Sequence, residues 1–69
     1  MKLYHIRFKI DGEIKYLLHF DIITKEVTFT TSLIESQCYL GIETLMVELS
    51  ELLTLESLDN VTEYSIVIE

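Results

Sequence analysis

Apolar and polar residues alternate through the first third of the chain, which is the pattern of β-strands that bury one face. In the first predicted strand the inward positions are Tyr4, Ile6, Phe8 and Ile10. In the second predicted strand they are Ile14, Tyr16, Leu18 and Phe20. A third strand, from Glu26 to Thr31, alternates apolar with polar positions and is rich in β-branched residues, which favour sheets.

Asp11 and Gly12 mark a hairpin between the first two strands. A two-residue loop would set Phe8 opposite Lys15 and so mix the apolar and polar faces. A loop that is one residue longer sets Phe8 opposite Ile14 and keeps the two faces separate. The pattern therefore favours a three-residue loop.

Helical signals follow the third strand. Ser32 and Glu35 have the spacing of a capping box, which predicts a short helical turn through Tyr39 that stops at Gly41. From residue 42 the apolar spacing predicts an amphipathic helix that ends near residues 55–58. The apolar stripe of this helix comprises Ile42, Leu45, Met46, Leu49, Leu52 and Leu53. A last strand alternates Tyr64, Ile66 and Ile68 with Glu63, Ser65 and Val67.

The element order βββαβ predicts one α+β domain over residues 1–69, in which a small, mostly antiparallel sheet carries one amphipathic helix on its apolar face. A chain of this length buries only about 60% of the surface that its unfolded form exposes, so association would add stability. One helix cannot cover both sheet faces. We interpret the other face as a homodimer face with Leu3, His5, Leu17 and His19.

The charge of the chain is divided unevenly along its length. Five Lys and Arg residues stand against twelve Asp and Glu residues, for a formal net charge of −7. All five cations lie within the first 25 residues, whereas nine carboxylates follow over the last 44 residues without a single Lys or Arg. Such a field repels phosphate and attracts cationic surfaces. The alternative is that these carboxylates form only a solvated face, although such faces normally mix both signs.

No constellation of residues predicts catalysis, a metal site or a cofactor. His5 and His19 fall on one predicted face, but a zinc site usually needs four ligands and only Cys38 could add a soft one. Cys38 lacks the neighbouring base of a thiol nucleophile, so we interpret it as a packing residue. The chain has only two glycines, which excludes a Gly-rich phosphate loop. We expect a binding protein rather than an enzyme.

Direct binding to nucleic acid or to a membrane is not expected. Tyr4, Phe8 and Tyr16 alternate onto the predicted core side, away from the basic side chains of the hairpin, and the net charge opposes nucleic acid. No apolar stretch reaches the roughly 18 residues of a membrane span, and the first residues lack a signal-peptide pattern. A lone cysteine suits a reducing compartment, so we expect the cytoplasm.

In size, charge and acidic surface the chain resembles the small DNA-mimic inhibitors made by bacteriophages. Some of these proteins act on nucleoid proteins of the HU type, and others act on restriction, repair or CRISPR enzymes. The resemblance is one of type, without a shared motif. Seven carboxylates carry it: Glu35, Glu43, Glu48, Glu51, Glu56, Asp59 and Glu63.

The resemblance implies an inhibitor in the host cytoplasm, whose carboxylates replace nucleic-acid phosphates in the cationic site of a DNA- or RNA-binding protein. The alternative is a homodimerising interaction or assembly module whose acidity is incidental.

Overall fold

The computed structural model describes all residues, 1–69, and its elements have the predicted order βββαβ. The strands are β1 (Tyr4–Ile10), β2 (Glu13–Phe20), β3 (Val27–Thr30) and β4 (Val61–Ile68). They form one antiparallel sheet in the order β3-β2-β1-β4, and the helix α1 (Ile42–Leu52) contacts β1. The predicted α+β class is therefore confirmed, with β3 and β4 as the two edges of the sheet.

The core lies between α1 and the sheet and is small. Phe8 and Phe29 meet edge to face within it, with ring centroids 5.6 Å apart. Ten apolar residues are buried, whereas thirteen large apolar residues are exposed, so much of the apolar surface has no partner within the chain. The buried set is Ile6, Phe8, Ile10, Leu17, Phe20, Tyr39, Leu45, Leu49, Leu52 and Leu58.

The hairpin between β1 and β2 has a two-residue loop, so the predicted three-residue loop is wrong. Asp11 and Gly12 both have positive φ, 51° and 85°, as a type I′ turn requires. This turn type matches the twist of the strands, and it sets Phe8 opposite Lys15. The twist of the turn therefore decides the register of β1 and β2. As a result, polar and apolar residues share each face of the hairpin near the turn, and the alternation changes further along β2.

A bulge in β2 changes which residues of this strand face the core. The pairing of β2 with β3 shifts register between Leu17 and His19, so Leu18 is an extra residue that breaks the alternation. Leu17 and Phe20, three positions apart, are consequently both buried. The predicted inward positions Ile14, Tyr16 and Leu18 are wrong. Ile14 and Leu18 are exposed, and Tyr16 pairs with Arg7 on the face away from α1, which we name the outer face.

The segment between β3 and α1 is not the predicted helical turn. A single turn leads to Ser36, after which the backbone N–H of Gln37 donates to the carbonyl of Leu17 at 2.8 Å. Tyr39 exchanges two backbone hydrogen bonds with Tyr4, at 2.9 and 2.8 Å. Residues 37–39 are therefore inserted between β1 and β2, whose ends diverge there. The capping-box prediction is wrong because these long-range partners replace a local helix.

The helix α1 ends earlier than predicted, at Leu52 instead of near residues 55–58. A separate 3-10 helix, Glu56–Leu58, follows and buries Leu58 in the core. Of the predicted apolar stripe, Leu45, Leu49 and Leu52 are buried, whereas Ile42, Met46 and Leu53 remain exposed. The helix therefore covers the sheet with a narrower stripe than its sequence offers.

The turn between β2 and β3 is held by the carboxylate of Asp21, which accepts hydrogen bonds from the backbone N–H groups of Ile23 and Thr24. These hydrogen bonds to the charged form lower the pKa of Asp21. Lys25, at the end of the turn, has a φ of 64° and directs its side chain towards α1.

Truncation at two adjacent leucines tests the register of β2. We expect Leu17→Ala to lower the free energy of unfolding by about 2–5 kcal/mol, because Leu17 is 0% exposed and its loss leaves a cavity. Leu18→Ala is the matched control and should cost about 1 kcal/mol or less, because Leu18 is 38% exposed. Urea unfolding followed by circular dichroism measures both changes. A larger loss at Leu18 would contradict the observed register.

Substitution of the two glycines tests the hairpin turn. Gly12→Ala should cost about 1–2 kcal/mol, because an added Cβ meets no atom within 4 Å and the whole penalty comes from the positive φ. Gly41→Ala is the control, since its Cβ also meets nothing and its φ of −131° is open to alanine. The weaker helix cap and the stiffer unfolded chain should offset each other within about 0.5 kcal/mol. Equal losses in urea unfolding would contradict the turn assignment.

Candidate functional site

Five of the seven predicted partner-binding carboxylates follow one another along α1 and the 3-10 helix. Residues 42–59 contain no Lys or Arg, so this stretch carries a formal charge of −5. Its one ion pair joins Lys25 Nζ to Glu51 Oε2 at 3.3 Å, and both side chains are about half exposed, so the pair contributes little. We name this group the helix-side carboxylates: Glu43, Glu48, Glu51, Glu56 and Asp59.

The other two predicted carboxylates lie elsewhere. Glu63 belongs to β4 and pairs with Lys9 on the outer face, where Arg7 also lies. Arg7 donates a hydrogen bond from Nε to Ser65 Oγ at 3.0 Å. Glu35 lies in the turn that precedes Ser36. The structure thus separates a strongly acidic helix side from an outer face with two cations.

The outward side of α1 combines charge with apolar surface. Glu43, Val47 and Glu51 follow each other at intervals of four residues, which places them about 6 Å apart along one stripe. Val47 is 63% exposed between the two glutamates. Single exposed apolar side chains are common on protein surfaces, so the stripe is defined by its two carboxylates, and Val47 adds an apolar group between them.

Glu48 occupies a different position, on the flank of α1 that faces the inserted segment. The hydroxyl of Tyr39 is buried there without a hydrogen bond. Burial, followed by the negative charge of Glu48, raises the pKa of Tyr39 well above its usual value, so this phenol stays protonated. No sequence pattern linked these two residues, because Tyr39 was assigned to a local helical turn.

The structure does not assemble the predicted homodimer face. Leu17 is fully buried on the α1 side of the sheet, and His5 is only 2% exposed. Leu3 exchanges backbone hydrogen bonds with Glu69, whereas His19 is exposed and pairs with Thr28. The predicted face is therefore wrong, because the bulge at Leu18 and the inserted segment were not visible in the alternation.

His5 is instead the centre of a buried polar cluster. Its Nδ1 lies 2.8 Å from Ser36 Oγ, and its Nε2 lies 2.6 Å from Glu69 Oε1. The Ser36 hydroxyl donates its single hydrogen to the Leu33 carbonyl at 2.6 Å, so it accepts from His5 Nδ1. His5 thus contacts a hydroxyl with one ring nitrogen and the Glu69 carboxylate with the other, so both of its polar atoms have partners.

We name His5, Ser36 and Glu69 the histidine clasp. It joins β1 to the inserted segment and to the residue after β4, over separations of 31 and 64 residues. The hydroxyl of Ser36 is buried and donates its hydrogen bond to the carbonyl of Leu33. It does not donate to His5, as the hydroxyl of a serine nucleophile would donate to its histidine base. Sequence reasoning missed the clasp because no short motif connects its members.

The remaining candidates lie apart from one another. Cys38, predicted to pack in the core, is an exposed free thiol. No group of three or more His, Cys, Asp or Glu side chains lies close enough to hold a metal ion. Neither helix is long and apolar enough to cross a membrane. Tyr16 shares the outer face with Arg7 and Lys9, so the prediction that the hairpin aromatics all turn inward is wrong.

Neutralising Glu69 tests the histidine clasp. We expect Glu69→Gln to lower the free energy of unfolding by about 1–2 kcal/mol, because His5 loses a charged acceptor that is itself partly solvated. Glu63→Gln removes a carboxylate from the same edge and should change stability by less than about 0.5 kcal/mol. In a His5→Phe background the cost of Glu69→Gln should vanish. An undiminished cost in that background would show that Glu69 acts through another group.

Comparison with known proteins identifies no relative of this chain. No family model, curated protein or solved structure matches the chain. The functional assignment therefore depends on the helix-side carboxylates, the outer face and the histidine clasp themselves.

Proposed function

We propose that the protein is an acidic protein-binding inhibitor that occupies the cationic site of a DNA- or RNA-binding protein. The observation that carries this proposal is the separation of charge across the fold. The helix side presents five carboxylates over residues 42–59 with Lys25 as their one paired cation. Arg7 and Lys9 lie on the opposite sheet face, and Lys15, near the hairpin, is the one strand cation on the α1 side. A cationic groove would meet the helix side first, because the long-range field orients the two proteins before contact.

The spacing of the charges favours recognition of a cationic protein surface over a close copy of a nucleic-acid strand. Along the axis of α1, Glu43, Glu48 and Glu51 are separated by about 7.5 and 4.5 Å. One DNA strand carries a phosphate about every 3.4 Å of helix axis. The carboxylates are therefore sparser than phosphates, and the exposed Val47 between them adds an apolar contact that phosphates do not offer.

The same charges oppose direct binding to nucleic acid. The net charge of −7 repels a polyanion, and the cations on the outer face amount to Arg7 and Lys9, beside the carboxylate of Glu63. The protein acts in this proposal by competition alone, as a ligand and not as a catalyst.

Charge reversal at matched positions tests the proposal. A purified HU-type nucleoid protein and a fluorescent DNA duplex report competition by anisotropy. We expect Glu43→Lys with Glu56→Lys to weaken the competition at least tenfold, because both carboxylates belong to the helix side and are exposed. Glu13→Lys with Glu26→Lys changes the net charge equally, from −7 to −3, at two exposed positions outside the helix side, and should weaken it less than about threefold.

The salt dependence and one direct measurement complete this test. Competition should fall steeply as ionic strength rises, because the screening length shortens from about 10 Å at 0.1 M to about 3 Å at 1 M. The protein alone should leave the anisotropy of the DNA unchanged. Equal effects of the two charge reversals would make the acidity incidental, and direct binding to DNA would refute the competitive mechanism.

A further inference from the structure

The edge strand β4 has an open row of backbone hydrogen-bonding groups. Leu3 and Glu69 exchange two backbone hydrogen bonds, and the register continues from that pair into β1 and β4. In an antiparallel ladder, bonded and non-bonded pairs alternate, so Val67 and Ser65 direct their N–H and C=O groups towards β1. The hydrogen bonds of Tyr4 agree with this alternation, because its backbone N–H and C=O groups bond to Tyr39, on the side of β1 that faces away from β4.

The N–H and C=O groups of the alternate residues in β4 consequently face away from the sheet. The residues concerned are Tyr64, Ile66 and Ile68. A long, open strand edge is a template for a further strand, and native proteins usually blunt such edges with charge, proline or a bulge. The register between β1 and β4 shifts at Thr62, so the regular open edge runs from residue 63 to residue 68, where it carries one charged side chain, Glu63, and no proline.

An uncovered apolar surface lies next to this edge. Tyr64 and Ile68 point to the α1 side of the sheet but are 53% and 58% exposed. The flank of α1 that bears Glu48 and Glu51 is turned towards Tyr39 and Lys25, hence towards β2 and β3. The opposite flank, turned towards β4, carries the exposed apolar residues Ile42, Met46 and Leu53.

The charge of this surface fits a second copy of the chain. Two molecules of charge −7 repel each other, so a contact between copies has to avoid the helix-side carboxylates. The single carboxylate of β4, Glu63, lies opposite Lys9 on the outer face, away from the exposed apolar surface on the α1 side. A cationic partner would find only this one carboxylate along β4, next to a lysine, whereas an apolar edge with so little charge is compatible with a second copy of itself.

We propose that two copies of the protein join antiparallel through β4, so that the two sheets form one continuous eight-stranded sheet. A two-fold axis perpendicular to the sheet produces this arrangement and places both α1 helices on the same side. The α1-side faces of the two sheets must lie on the same side of the joined sheet. The register between the two β4 strands can therefore shift only by two residues at a time, which keeps the apolar side chains together. The exposed apolar flanks of the two α1 helices and the two Tyr64 side chains then lie along the junction.

Charge and the ladder together select one register among those that are allowed. An axis through Tyr64 would set Ile66 of one copy opposite Thr62 of the other, where the register shift interrupts the ladder. An axis through Ile66 would bring Glu63 opposite Glu69, which is repulsive. An axis through Ser65 avoids both problems, sets Glu63 opposite Val67 and pairs Tyr64 of each copy with Ile66 of the other, for about four hydrogen bonds between the copies.

Cysteine cross-linking tests this register. Ser65 would face its symmetry mate as a non-bonded pair, with Cα atoms about 4.5 Å apart, a separation that a disulfide can span. In a Cys38→Ser background, Ser65→Cys should give a covalent dimer under mild oxidation. Thr28→Cys, an exposed position in the other edge strand β3, should stay monomeric on a non-reducing gel. A covalent dimer at Thr28 and not at Ser65 would overturn the proposal.

Solution mass completes the test independently of cysteine chemistry. Light scattering of the unmodified protein at micromolar concentration should give twice the 8.1 kDa chain mass. Tyr64→Pro removes one outward N–H without removing a bond to β1, and it should give a folded monomer, whereas Tyr64→Thr keeps the N–H and should retain part of the dimer. A monomeric unmodified protein, or a Tyr64→Pro variant that is folded and still dimeric, would overturn the proposal. If Tyr64→Pro does not fold, the cross-linking pair decides.

Discussion

The type I′ turn at Asp11 and Gly12 is the constraint on which the rest of the sheet depends. With two residues of positive φ in the loop, β1 and β2 can pair only with Phe8 opposite Lys15. That register turns Leu17 towards the core. In a regular strand Phe20, three residues later, would then face the opposite side of the sheet. The bulge at Leu18 restores the phase, so that β2 contributes one buried apolar side chain before the bulge, Leu17, and one after it, Phe20.

The type and order of the elements could be predicted from local signals, because each element depends on residue spacing within a short window. The strands, the buried residues Leu45, Leu49 and Leu52 and the class of the fold follow from periodicity alone. The position of Leu17 did not follow, because one extra residue in a strand reverses the face of every residue after it. The bulge at Leu18 could not be located from the sequence, because Leu17 and Leu18 are the same amino acid and either could be the inward residue.

Of the candidate sites, the acidic surface could be predicted from the sequence and the histidine clasp could not. The one-sided acidity is a property of composition and is visible in the sequence, whereas the structure shows that five of the carboxylates follow one another along α1 and the 3-10 helix. The histidine clasp depends on residues 31 and 64 positions away from His5, and no periodicity encodes such pairs. The Ser32 to Glu35 spacing was misleading because a local capping motif competes with tertiary partners. Here Ser36 and Tyr39 find theirs in β1.

The insertion of residues 37–39 between β1 and β2 has a consequence for the order in which the protein folds. A hairpin forms within about 1–10 μs, long before contacts between distant segments. If β1 and β2 closed along their full length at that stage, the place beside Tyr4 would be occupied when Tyr39 arrived. The turn end of the hairpin can form first, but its open end has to wait for a segment some twenty residues further along the chain. The bulge at Leu18 directly follows Leu17, whose carbonyl accepts the hydrogen bond from Gln37, so the irregularity in β2 and the entry point of the inserted segment are adjacent.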